Sequence, residues 1–280
     1  MRGERLGGRR RLALAMCLLL ASYLLPLTSH LSPLTAQAIQ DNSFLIEEGY
    51  NQERGVVQHI GTFARSTGGH WELAFTQEWP LGGIRHQFSY TIPLQRDNAT
   101  GAGLGDVALN YRYQLVGDPE AVTVVAPRLT VLLPTGNTEV ERGSGGVGIQ
   151  VNIPVSFVVG PGLVTHWNAG MTVTPSARNS LDQSATTTDL NLGASAVWLL
   201  RPWVNLLIEG LWINSRAVVE DGRTMGEKTG YLSPGVRMAL DLPGDLQIVP
   251  GLAYTFGLGG ESNEDAVFLY LSFEHPFSRQ

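Results

Sequence analysis

The chain has 280 residues and a formal charge of −6, and that acidic balance argues against nucleic acid as a partner. Its one cysteine, Cys17, lies in a leader-like N-terminus. The rest of the chain therefore has no disulfide framework, thiolate metal site or thiol nucleophile.

Residues 1–38 read as a secretory signal peptide. Arg2, Arg5 and Arg9 to Arg11 form a positive region, Leu12 to Leu25 an apolar run, and Ala36-Gln37-Ala38 a small-x-small cleavage site. The apolar run is too short for a membrane helix. Removal of residues 1–38 takes away five Arg and Glu4, which brings the mature charge to −10. Residues 39–55 come next as a separate segment, and Glu47 and Glu48 with Tyr50 suggest a short helix. The segment either folds into the interior of the domain formed by residues 56–280 or lies in the periplasm.

From residue 56 to 280 the sequence is organised by alternation. In 104–116, Val107, Leu109, Tyr111, Tyr113 and Leu115 fall on one face, and Asp106, Ala108, Asn110, Arg112 and Gln114 on the other. Period two over this length means a strand with one apolar face. Strands are predicted at 56–65, 70–79, 84–93, 104–116, 122–133, 146–158, 162–174, 188–200, 203–214, 228–241, 245–256 and 265–274. Short Gly- and Pro-bearing turns alternate with the longer loops 94–103, 134–145, 175–187, 215–227 and 257–264. That rhythm, with a mean hydropathy of +0.02, predicts an all-β fold: an antiparallel up-and-down transmembrane β-barrel of about twelve strands. Ten and fourteen strands are the alternatives. If the protein is integral, its sheet must be closed, because hydrocarbon leaves no water for open strand edges. Trp71, Trp79, Tyr90, Tyr113, Trp167, Trp198, Trp212 and Phe256 are assigned to aromatic girdles on the lipid face.

Several motifs resemble a known family. Gly103-Leu104-Gly105-Asp106-Val107 opens a strand running on to Tyr111-Arg112-Tyr113, and Leu132-Leu133-Pro134-Thr135-Gly136-Asn137 ends the next, followed by Gly145-Gly146-Val147-Gly148. Glu78-Trp79-Pro80-Leu81 and Arg85-His86-Gln87-Phe88-Ser89-Tyr90 fit one branch. These are similar to bacterial outer-membrane proteins of the phenol-degradation meta-pathway family. The resemblance implies an outer-membrane barrel that moves hydrophobic or aromatic compounds, with no catalytic set to carry over. Outer-membrane barrels usually finish on an aromatic, and here Phe273 or Phe277 is the candidate.

Projected on the strands, charge collects on the lumen face: Glu72, Glu78, Arg85, Asp106, Arg112, Arg128, Asp189, Glu209 and Arg237, with His166 and Asn168. An inward position is expected for any function, because charge facing lipid is costly. The set reads as a polar constriction or as a ladder of cross-strand pairs filling a narrow barrel, and its balanced signs favour the ladder and a small conductance. Loops 134–145 and 215–227 carry Glu139, Glu141, Arg142, Glu220, Asp221 and Arg223, a solvated surface facing lipopolysaccharide or a gate. Gly143 to Gly148 matches a dinucleotide fingerprint by letter, but a strand rather than a helix comes after it.

The function expected is passive passage of small hydrophobic or aromatic solutes across the outer membrane, with membrane lipid as the surroundings and no cofactor or metal. The alternatives are a structural or adhesion barrel with a filled lumen, and a barrel-borne lipid hydrolase. The hydrolase needs Ser and His within reach near the rim. His86 and Ser89 fall on opposite faces, and neither strand beside His166 is expected to offer a serine at its level. The chain is therefore expected not to be an enzyme. Oligomeric state is not legible.

Overall fold

The computed structural model describes residues 42–118, 120–243, 246–259 and 264–276; the signal peptide and Phe277 lie outside them. Twelve antiparallel strands form one closed barrel. They are β1 (Val56–Ser66), β2 (Trp71–Pro80), β3 (His86–Asp97), β4 (Gly101–Leu104 and Val107–Tyr113), β5 (Thr123–Val125 and Arg128–Leu133) and β6 (Gly148–Gly160). Then come β7 (Leu163–Arg178), β8 (Ser184–Arg201), β9 (Val204–Val218), β10 (Thr224–Met238 and Leu240–Leu242), β11 (Leu246–Leu258) and β12 (Ala266–Pro276). Each pairs with its neighbours in sequence. β12 returns to β1, from Val56↔Pro276 to Ser66↔Ala266, so the sheet has no free edge.

Alternation sorts the side chains. Leu73, Phe75, Ile92, Leu109, Val151, Trp167, Leu192, Leu252 and Leu271 are exposed on the outer face. Gln87, Asn110, Arg112, Thr130, Asn152, His166, Glu209 and Arg237 are buried on the inner face. A closed sheet that is apolar outside and polar inside is a transmembrane barrel. Of the predicted girdle, Trp79, Trp167, Trp198 and Trp212 are exposed on the outer face. Phe256 shares that face by register with Leu252 and Tyr254 but is covered (8% exposed), its ring 4.9 Å from Tyr254.

The strands run further than predicted on the long-loop side. β7 reaches Arg178, β8 starts at Ser184, β9 reaches Val218 and β10 starts at Thr224. Loops 175–187 and 215–227 are accordingly short tips on tall hairpins. These extensions have no regular apolar alternation, as in the run Thr186-Thr187-Thr188, and ladder pairing continues where that alternation stops. The loop 134–147 stays irregular, with one 3-10 turn at Thr138–Val140.

Residues 42–55 form no helix. The helix suggested by Glu47, Glu48 and Tyr50 is replaced by a bent segment whose backbone bonds to inward side chains of the wall. The segment rises from the short-turn end of β1, turns at Leu45 to Glu47 near mid-barrel, and descends again to Asn42 beside Arg237.

Candidate functional site: the occupied lumen

Backbone groups that no strand satisfies need partners when buried. The wall supplies them residue by residue. Glu209 Oε1 accepts from the backbone N–H groups of Phe44 (3.0 Å), Leu45 (2.7 Å) and Ile46 (3.0 Å). Asn168 makes a two-way pair with Glu47, its Oδ1 accepting from N–H and its Nδ2 donating to C=O, both at 2.8 Å. Gly49 N–H donates to Ser156 Oγ (2.7 Å), Asn51 N–H to Gln114 (2.9 Å) and Gln52 N–H to Gln87 (2.6 Å). Arg237 donates to the Asn42 carbonyl, and Ser43 Oγ to Ser195 Oγ (2.6 Å).

The charges follow the same plan. Arg112 meets Glu48 at 3.1 Å and Glu47 at 3.6 Å, and Arg128 meets Glu47 at 2.8 Å. The expected cross-strand ladder is thus replaced at these two arginines by ion pairs to the inserted segment. Asn152 Nδ2 also donates to Glu47 Oε2 (3.1 Å).

Glycines make room for the side chains. A Cβ on Gly193 would overlap Ile46 Cδ1, and one on Gly251 would lie 2.5 Å from Phe44 Cε1 and Cζ. On the loop side of Leu45 and Glu47 the lumen widens into a cavity of about 330 Å³, bordered by Arg128, Gln150, Asn152, Asn168, Thr172, Asp189 and Asn191.

Of the eleven residues singled out in the sequence, Arg112, Arg128, Asn168, Glu209 and Arg237 touch the segment directly. His166, fully buried, meets it in two ways: its ring packs edge-on against Tyr50 (6.4 Å between centroids), and Ser156 Oγ, which accepts from Gly49 N–H, lies 2.7 Å from its Nδ1. Glu78 is buried and accepts from Gln87 (2.8 Å). Glu72 points inward near the loop end, opposite Ala64 and Gln95. Asp189 accepts from the Arg216 N–H (2.6 Å) and borders the cavity.

Two placements differ from the projection. Arg85 stands exposed in the turn before β3, outside the wall, because that strand begins two residues later than predicted. Asp106 sits in the break of β4 and spends both carboxylate oxygens on loop 134–147, taking Gly136 N–H (3.0 Å), Ser144 N–H (2.7 Å) and Ser144 Oγ (2.7 Å). The expectation that no serine stands level with His166 is also overturned. Register places Ser156 on one side of it and Ser195 on the other. Both serines are buried beneath the segment rather than at the rim.

Sequence reasoning missed Gln87, Gln114, Asn152, Ser156 and Ser195. Each was legible as an uncharged polar residue on the inward face, Gln87 and Gln114 at the short-turn end of the wall and the others further along it.

The fold resembles that of solved outer-membrane channels. The COG4313 outer membrane channel from Pseudomonas putida F1 matches with a TM-score of 0.59 at 12% identity, over 81% of this chain and 97% of that one. The NanC porin matches with a TM-score of 0.50 at 8% identity, over 78% and 98%. No protein-family model and no curated protein sequence matches the chain. At such identities the likeness is one of fold. The fold is that of outer-membrane β-barrels, and these two neighbours are a channel and a porin.

Proposed function

We propose that this protein is an outer-membrane channel for passive passage of small hydrophobic or aromatic solutes, closed in this conformation by its own residues 42–55. In this reading residues 1–38 direct export, the short turns face the periplasm and the long hairpins face lipopolysaccharide. The observation that carries it is the source of the lumen's filling. Arg112 and Arg128 find their carboxylates on the segment, and Glu209, Asn168, Ser156 and Gln87 satisfy its backbone. A structural barrel filled by its wall would pair those groups with each other. A segment hydrogen-bonded to the wall, and covalently joined only at β1, can leave without breaking the ladder.

The motifs that resemble the phenol-degradation meta-pathway family support the solute class, as does an apolar strip of lumen formed by Ala239, Val249, Ala253, Phe268 and Tyr270. Single-channel recording in planar bilayers tests the channel. The refolded mature chain is expected to show rare or small openings, and a variant lacking residues 39–55 frequent, larger ones. A folded deletion variant that stays silent would refute the reading.

A further inference from the structure

The apolar strip is shaped around a single aromatic ring. Phe44 is its present occupant. The ring lies 5.5 Å from that of Phe268 and 5.3 Å from that of Tyr270, both on β12. Beneath it the neighbouring strands present two glycines. A Cβ on Gly235 of β10 would lie 2.7 Å from Phe44 Cε2, and one on Gly251 of β11 would be closer still. Register sets these residues side by side: Gly251 opposite Tyr270, and Ala253 between Gly235 and Phe268. Arg237, opposite Gly251, holds its guanidinium 5.0 Å from the Tyr270 ring and donates to the Asn42 carbonyl.

This is a socket in the rigid wall, and its occupant belongs to the removable segment. Offset or tilted ring pairs at such separations are favourable beyond the apolar area they bury. Two inward glycines on adjacent strands leave space that only an inserted group can fill without a void.

Resting on the channel reading above, we infer that the socket formed by Gly235, Gly251, Ala253, Phe268 and Tyr270 is a binding site for a solute's aromatic ring, and that Phe44 is an internal ligand competing for it. Arg237 at its margin suits an acceptor or anionic substituent, which takes the place of the Asn42 carbonyl. A ring-bearing solute therefore binds only the molecules whose Phe44 ring has left the socket, and by binding it keeps that ring out and favours release of the segment.

Equilibrium dialysis of labelled phenylacetate against the mature chain in lipid nanodiscs tests this, with acetate as the ring-free probe. Phe44→Ala empties the socket and is expected to bind phenylacetate about tenfold or more tightly than wild type, since apparent affinity scales with the fraction of sites already free. Acetate should bind neither. In the Phe44→Ala background, Gly251→Leu fills the socket and should return binding to the level of lipid partition. Ala253→Leu serves the same purpose if that variant does not fold, folding being read from heat-modifiable migration. Equal binding by wild type and Phe44→Ala, or by Phe44→Ala and the filled variant, would overturn the inference. The conductance of the 39–55 deletion fails or succeeds independently of this binding, so the two readings are separable.

Discussion

Arg112 and Arg128 stand directly opposite each other on the inner face of the β4–β5 ladder. Like charges in that position repel, and the pair is tolerated only with a counter-charge close by. Glu47 provides it, reaching both guanidinium groups, with Glu48 adding a second contact to Arg112. The wall therefore carries a positive pair whose neutraliser is removable.

Opening should change selectivity as well as size. Without residues 39–55 the arginine pair faces the lumen, and Glu78, two strands away on the same face, can offset only one of the two charges. The deletion variant is expected to prefer anions, and Arg112→Ala with Arg128→Ala to abolish that preference. Reversal potentials in a KCl gradient give the answer. A cation-preferring deletion channel would contradict the assignment of Glu47 and Glu48 as the neutralising groups.

Glu209 is the strongest single hold on the segment, since one carboxylate oxygen takes three backbone N–H groups. Hydrogen bonds to a charged acceptor contribute about 1.5–3 kcal/mol each, and buried donors left without partners cost more. Glu209→Ala is expected to weaken the closed state by about 3 kcal/mol or more, roughly a 100-fold rise in the open-to-closed ratio. Glu209→Gln keeps an acceptor oxygen and should do less. Open probability in planar bilayers measures both, and an unchanged value for the alanine variant would remove Glu209 from the gate.

The wall was legible because period two is a strong signal. Leu109 and Tyr111 outward with Asn110 and Arg112 inward follow from the sequence alone. The tall hairpins were not legible, because Thr186, Thr187 and Thr188 give no alternation to follow, and hydrogen bonding alone continues the strand. The path of residues 42–55 was hidden for a different reason: an irregular segment has no period, and its partners are scattered over strands far away in sequence. Its trace was nevertheless present in the wall. Gly193, Gly235 and Gly251 are inward glycines in mid-strand, and a strand glycine commonly marks another chain segment's close approach.

That trace can be tested with a matched pair of glycines. Gly193 and Gly210 occupy neighbouring strands near the same level, Gly210 opposite Ala194. A Cβ at Gly193 meets Ile46, whereas one at Gly210 meets nothing within 4 Å. Overpacking typically costs about 1–3 kcal/mol. Gly193→Val should therefore lower hydrogen-exchange protection at residues 44–47 while the strands stay protected, and Gly210→Ala should change neither. Equal protection of the segment in the two variants would mean that Ile46 is not seated against β8.

Asp106 predicts a local effect far from the segment. Its carboxylate ties Gly136 and Ser144 to the break in β4, and Thr135 Oγ1 donates to Gly105 O at 2.8 Å. Asp106→Ala leaves two backbone N–H groups without their acceptor. Loop 134–147 should become accessible to protease added at the loop side, with barrel migration on gels unchanged. If the loop remains resistant, its order comes from elsewhere, and Asp106 returns to consideration as a lumen-lining group.

The outer face supplies the last test, because it separates a membrane barrel from a soluble one. Leu271 lies midway along β12, is 49% exposed and points away from the lumen, while its neighbour Ser272 points inward and is buried. In hydrocarbon an arginine at mid-wall depth costs about 2–4 kcal/mol. On a water-facing surface it would change stability by about 0.5 kcal/mol at most. Leu271→Arg is therefore expected to lower folding stability into lipid vesicles by the larger amount, and Leu271→Phe to leave it nearly unchanged. Denaturant titration in vesicles distinguishes the two. An arginine tolerated at 271 would mean that this face of the barrel does not meet lipid.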